Sequence, residues 1–191
     1  MEWLRYGAQQ YPNRICINEY TYNDIILSDN SVIMAIYVLA AMLAHKEVLL
    51  LNVHLKPNEI ENQLKQLGVT TVLHSQDRRN QLPDSMCVIE FEPLETILAD
   101  RVLEDIFDWT FNDTEIAAIM NTSATTGQFK SVPLRWGQIR AHVQASQEVL
   151  DKTEQDNWLM VLPLFHVSGL SILMRSLYNG TAITILPKYD E

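Results

Sequence analysis

Four hydroxyl side chains (Thr122, Ser123, Thr125, Thr126), a glycine (Gly127) and a lysine (Lys130) lie within nine residues, directly after the apolar run 116–120. Hydroxyls and backbone N–H groups released from regular structure donate to phosphate oxygens. A glycine lets the backbone turn where other residues resist, and a lysine brings positive charge to an anion. Two readings of the stretch 120–133 follow: a phosphate-holding loop leaving a buried strand, or a solvated Ser/Thr turn. A nucleotide-triphosphatase P-loop is excluded, because the second glycine and the Gly-Lys-Ser/Thr ending are missing. The three spaced glycines of a dinucleotide fingerprint and the Gly-x-Ser-x-Gly elbow of a hydrolase are missing too. The five histidines (His45, His54, His74, His142, His166) show no ligand spacing, so no zinc site is expected.

The elements needed to carry such a loop can be read from the pattern around it. Residues 32–44 are rich in Ala, Met and Leu and follow Asn30-Ser31, a good N-cap, which predicts a buried helix. Residues 48–53 form a continuous apolar run, the mark of a strand covered on both faces. Pro57, an apolar face of Ile60, Leu64 and Leu67, and Gly68 delimit a second helix, and 69–73 the next strand. Strand, helix, strand in this order predicts a right-handed crossover in a parallel sheet. Beyond it lie a surface loop at 75–84, a strand at 86–91, loose helical turns within 92–111, and the strand 116–120. A helix at 136–150, a strand at 158–162, a helix at 168–178 closed by Gly180 and a strand at 181–186 complete the chain. At the N-terminus, 3–10 reads as a short helix, with short strands at 14–18 and 20–22. The expected fold class is α/β, with mainly parallel sheets flanked by helices.

With 14 Lys and Arg against 24 Asp and Glu, the net charge is −10, which argues against nucleic acid as a partner. An anion site here must be local. The longest apolar run, 32–44, is too short to span a bilayer, and the first residues lack the features of a signal peptide. Cys16 and Cys87 are isolated in apolar stretches, which predicts buried thiols in a reducing compartment and a cytoplasmic protein. Arg175 lies seven residues after Ser168 on an otherwise apolar helix, so the two share a face. There it either pairs with a carboxylate of a dicarboxylic ligand or serves as an ordinary surface or ion-paired arginine.

The loop Thr122-Ser123-Ala124-Thr125-Thr126-Gly127-Gln128-Phe129-Lys130-Ser131-Val132 resembles the Thr-Ser-Gly-Thr-Thr-Gly-x-Pro-Lys-x-Val signature of the adenylate-forming enzymes: acyl-CoA synthetases, luciferases and peptide-synthetase adenylation domains. A second block, Leu162-Pro163-Leu164-Phe165-His166-Val167-Ser168-Gly169-Leu170, is similar to that family's Leu-Pro-Leu-Phe/Tyr-His-x-x-Gly block, at the expected distance downstream. Asn30-Ser31 and Leu55-Lys56-Pro57-Asn58-Glu59-Ile60 match its N-terminal region. Within the family, the run from Leu162 to Ser176 and the short N-terminus are most similar to the 2-succinylbenzoate–CoA ligases of menaquinone synthesis. The resemblance implies ATP, Mg²⁺ and coenzyme A as cofactors, a small carboxylic acid as substrate, adenylation followed by thioester formation, and no insertion in a membrane. It places Thr122, Ser123, Thr125, Thr126, Gly127 and Lys130 on the phosphates, Lys130 and His166 in catalysis, and His166, Ser168 and Gly169 near the acyl group. His166 is expected to end a strand at the mouth of the cleft.

Three departures qualify those expectations. Ala124 stands where the family has Gly, and Phe129 where it has Pro. Residues 20–25 resemble the start of the family's first long helix and 27–31 the end of the strand after it, so a helix-strand pair of about 25 residues is missing between them. That loss should expose an unpaired edge and apolar surface and lower stability. The chain stops at Glu191, well under half the family's length, so residues 1–191 are expected to be an incomplete N-terminal adenylation domain. Within it, 1–111 would form the first sheet-helix region and 112–191 the phosphate loop and acyl pocket. Alone, such a chain is not expected to complete the adenylation cycle, and a non-catalytic remnant or interaction module is the alternative.

Overall fold

The computed structural model describes residues 23–69, 71–99, 111–122, 129–150, 153 and 155–187. The elements expected at 3–10, 14–18 and 20–22, and residues 100–110 of the stretch 92–111 expected to form helical turns, lie outside them. Strand β1 (Asn23–Leu27) leads to helix α1 (Val32–Leu43), β2 (Glu47–Leu50), α2 (Pro57–Leu67), β3 (Thr71–His74), β4 (Cys87–Glu90) and the short α3 (Leu94–Ala99). Then come β5 (Ile116–Thr122), β6 (Lys130–Arg135), α4 (Trp136–Val149), β7 (Asn157–Met160), α5 (Val167–Asn179) and β8 (Ala182–Ile185).

The main sheet has the order β4-β3-β1-β2-β5-β6, parallel except for the antiparallel β5–β6 pair. Its middle is apolar on both faces, as a parallel sheet between helices requires. Ile25, Ile26, Leu27, Val48 and Leu49 are all 0% exposed. A second sheet pairs β7 with β8 in parallel, with α5 as the crossover between them. α1 is buried from Met34 to Leu43 and shares a cavity with α4 and α5. Leu39, Met42 and Leu43 line this cavity of about 380 Å³ together with Trp136, Val143 and Met174.

Local chemistry explains the element ends. Ser31 Oγ accepts the Met34 N–H at 3.0 Å and starts α1. Pro57 opens α2, whose Glu59 carboxylate accepts the Lys56 N–H at 2.7 Å. Gly68 and Gly180 close α2 and α5 in the left-handed conformation, with φ of 66° and 67°.

Several expectations change. Residues 23–25 are not the start of a helix but the beginning of β1, which pairs with β2 on one side and β3 on the other. Among the described residues no vacancy therefore stands at this place in the sheet, whose edges there are β4 and β6. The surface loop at 75–84 contains a 3-10 helix, Gln76–Gln81. Residues 130–133, read as part of the loop, lie in β6; Pro133 is tolerated there because β6 is an edge strand among the described residues. The strand expected to reach 162 ends at Met160. Cys87, expected to be buried, is an exposed free thiol on edge strand β4, whereas Cys16 lies outside the described residues. No helix among the described residues is long and apolar enough to cross a membrane.

Candidate functional site

Because β1, β2 and β5 are parallel neighbours, their carboxyl ends lie side by side: Ile26 pairs with Leu50, and Leu50 with Met120. Ligands of open α/β sheets sit outside such strand ends, where the connecting loops diverge. β1 delivers Asp29 and Asn30, β2 delivers Asn52 and His54, and β5 delivers the hydroxyl stretch. Ser123, Thr125, Thr126 and Gly127, with Ala124 and Gln128, lie outside the described residues. Thr122 and Lys130 flank them as the last register pair of the β5–β6 ladder. The Thr122 hydroxyl donates to the Lys130 carbonyl over 3.4 Å, a bond long enough to be exchanged for a better acceptor. Lys130 is exposed and makes no ion pair with the described residues.

A chain of amide and hydroxyl side chains starting from buried Gln63 secures the base of this hairpin. Gln63 on α2, 2% exposed, accepts from Asn121 Nδ2 at 2.9 Å, and Ser131 Oγ donates to Asn121 Oδ1 at 2.8 Å. The Gln63 Nε2 atom is buried without a hydrogen-bond partner among the described residues. An orphaned donor at the base of an anion-suited loop fits a phosphate group, as do the exposed ammonium of Lys130 and the Thr122 hydroxyl. For a metal ion the described residues give no comparable support, since no three His, Cys, Asp or Glu side chains among them converge.

The second block crosses the same strand ends. Asn30 Nδ2 donates to the Leu162 carbonyl at 2.9 Å, and the Leu164 N–H donates to Asn30 Oδ1 at 2.8 Å. The ring of Phe165 meets His54 edge-on, with centroids 6.0 Å apart, and His166 tilts against Phe165 at 4.7 Å. His166 does not end a strand: it is the exposed N-cap residue of α5, beyond the end of β7. Its N–H donates to the Pro163 carbonyl at 3.0 Å, which folds 163–166 into a tight turn. Gly169 is buried against that turn.

One helical face of α5 carries both Ser168 and Arg175 into a cavity of about 530 Å³ shared with Leu134, Gln138 and His142. The Arg175 guanidinium carbon stands 4.7 Å from the centre of the Trp158 ring, and its Nε is buried without a hydrogen-bond partner among the described residues. An arginine held by an aromatic face and lacking an acceptor suits a ligand carboxylate. Residues overlooked in the sequence therefore include Gln138 and His142, whose i, i+4 spacing on α4 was the available signal. Gln63 gave no local signal, and the cap signal at Asn30 did not disclose its partners, which are remote in sequence. His74, 1% exposed, is a core residue whose Nδ1–H donates to the Ser75 carbonyl at 2.9 Å.

The chain as a whole is similar to known proteins. The chain is 41% identical to the 2-succinylbenzoate–CoA ligase of Lactococcus lactis subsp. lactis, over all of its own length and 46% of that protein. The match runs over 213 aligned residues against the 191 of this chain, so the relative carries positions with no counterpart here. Among solved structures, the O-succinylbenzoate coenzyme A synthetase of Bacillus subtilis in complex with AMP superposes with a TM-score of 0.79 at 26% identity, covering 99% of this chain and 48% of that one. The same synthetase with ATP and magnesium ion gives 0.74 at 27% identity, covering 88% and 45%. The chain thus spans about half the length of the relatives it matches. The model of the AMP-binding enzyme family matches residues 25–191, which takes in both sequence blocks and every strand end that frames the site, and the chain belongs to that family.

Proposed function

We propose that this chain supplies the phosphate-holding and acyl-binding half of an ATP-dependent acid–CoA ligase acting on 2-succinylbenzoate in the cytoplasm. Residues 1–191 are then an incomplete N-terminal adenylation domain, with 112–191 forming the phosphate loop and the acyl cavity. The observation that carries this reading is that the loop ends Thr122 and Lys130 lie at the carboxyl end of β5, while the 162–166 turn is bonded to Asn30 beyond the carboxyl end of β1, two strands away in the same sheet. An exposed free thiol at Cys87 suits a reducing compartment.

Adenylation brings two anions together, so it depends on positioning and on neutralising charge. Thr122, Ser123, Thr125, Thr126, Gly127 and Lys130 hold the phosphates while a carboxylate oxygen attacks the α-phosphorus and pyrophosphate leaves. His166 stands between the acyl group and the α-phosphate. Ser168 and Gly169 line the acyl side, and Arg175 takes the second carboxylate of the substrate. Magnesium, when bound with ATP, neutralises charge on the phosphate oxygens. Coenzyme A supplies the thiol that displaces AMP from the acyl-adenylate in the second step.

Titration calorimetry of the chain with ATP and with adenosine tests the phosphate assignment. Lys130→Ala is expected to weaken ATP binding about tenfold or more while leaving adenosine unchanged, because a charged hydrogen bond is worth about 1.5–3 kcal/mol. Equal ATP affinity in variant and wild type removes the assignment. No ATP binding by either protein points to the alternative, a non-catalytic module, which the departures Ala124 and Phe129 favour. Arg175→Leu should weaken 2-succinylbenzoate far more than an analogue lacking the ring carboxylate, and equal weakening removes Arg175 from the site.

A further inference from the structure

Asn30 was read as part of a helix N-cap, yet the capping is done by Ser31, and the Asn30 side chain is turned elsewhere. It is 5% exposed, and both ends of its carboxamide are bonded to one turn. Nδ2 donates to the Leu162 carbonyl at 2.9 Å, and Oδ1 accepts from the Leu164 N–H at 2.8 Å, partners 132 and 134 residues away. A short side chain offering a donor and an acceptor on adjacent atoms is needed for this. Aspartate lacks the donor and leucine lacks both.

We propose that Asn30 is a positioning residue for His166: its carboxamide clamps the 162–166 turn and sets where the imidazole stands over the ends of β1 and β2. The inference rests on the reading of His166 as a site residue. His166 is exposed, and among the described residues its imidazole has no hydrogen-bond partner, so the backbone of the turn and the Phe165 ring determine its place. The Pro163 carbonyl is taken up by the His166 N–H and pressed by Gly169. Pro163 has no N–H to offer. The carbonyl of Leu162 and the N–H of Leu164 are the flanking handles, and Asn30 holds both.

Asn30 is itself anchored on both sides. Ser31 is locked into the start of α1, and the Asp29 carboxylate is gripped by Arg78, whose Nε donates to it at 2.9 Å. The clamp therefore transmits the position of β1 to the turn with little slack. Core packing of Leu164 and Phe165, 0% and 4% exposed, fixes the depth of the turn, while Asn30 fixes its rotation.

The test uses the 191-residue chain with Asn30→Ala and Asn30→Asp, read by NMR at the His166 ring, identified from His166→Gln, and at the Leu164 amide. In Asn30→Ala the Leu164 amide is expected to exchange about tenfold faster and the His166 ring resonance to move, while Ile26 and Leu49 keep wild-type protection. Asn30→Asp keeps the acceptor, so Leu164 stays protected, but the lost donor still moves the His166 ring. An unmoved His166 ring overturns the proposal, and so does movement accompanied by lost protection at Ile26 and Leu49, which marks a merely structural role. If Asn30→Ala does not fold, Asn30→Asp decides by the same readings. A wild-type chain that binds no nucleotide would defeat the functional reading yet leave the coupling of Asn30 to His166 decided by the ring resonance.

Discussion

Gly169 illustrates how one atom can be forbidden at a site. A Cβ built there would lie 2.2 Å from the Pro163 carbonyl oxygen, 2.5 Å from its carbon and 2.6 Å from the Leu162 oxygen, all backbone atoms of the turn that carries His166. Neither the start of α5 nor the turn can yield cheaply, so Gly169→Ala should cost about 1–3 kcal/mol in urea denaturation. Wild-type stability in that variant would mean the turn is looser than described. Cys87, by contrast, is open to solvent, so Ellman's reagent should titrate it in the folded protein, with one thiol equivalent fewer in Cys87→Ser. Its apolar neighbours in sequence suggested burial, but edge strand β4 leaves it uncovered, a fact of sheet order that no local pattern records. The hydroxyls, Lys130, His166 and Arg175 were legible as chemistry because side-chain type is local information. Asn30 was legible as a cap and as part of a family match, but not as a clamp, since that work depends on two groups more than 130 residues away.

At the level of elements, the helices announce themselves through their ends. Ser31, Pro57, Gly68 and Gly180 each do at their helix terminus what their chemistry requires, and the observed boundaries of α1, α2, α4 and α5 fall within a residue or two of those read from the pattern. Gly68 differs from Gly169 in kind: no atom lies within 4 Å of a Cβ there, and only its φ of 66° resists substitution. Gly68→Ala should therefore cost about 1 kcal/mol, all of it conformational, in the same denaturation assay. A loss as large as that of Gly169→Ala would show that crowding matters there as well. Strands were harder to read. β6 carries a proline and is mostly exposed, so it lacks an apolar pattern and exists because β5 offers it a partner. β1 was hidden by likeness to a helix start, although Ile25, Ile26 and Leu27 are the fully buried centre of the sheet.

On the scale of the whole molecule, the two sheets are unequal. β1, β2 and β5 are each paired on both sides, whereas β7 and β8 form a pair of four-residue parallel strands with no third strand among the described residues. Two-stranded sheets are marginal in water, and parallel pairing is the weaker kind. Native-state hydrogen exchange should show Leu159 and Thr184 opening at lower free energy than Ile26, Leu49 and Ala118. Uniform protection would mean that the second sheet opens only with the first. The division of the chain at 111/112 is crossed by the main sheet itself, since β5 pairs with β2 along Val48–Ala118, Leu49–Ile119 and Leu50–Met120.

The Asn30 clamp also sets a clock. Ser31 can cap α1 as soon as Met34 has been made, but Asn30 must wait for Leu164, 134 residues later. At a synthesis rate of about 5–20 residues per second, that wait is on the order of ten seconds. During it the strands of the main sheet can form and pair, leaving one amide at the end of β1 bonded to water. During synthesis the turn bearing His166 can therefore dock onto strands that are already paired, so the imidazole takes its place later than the cap of α1.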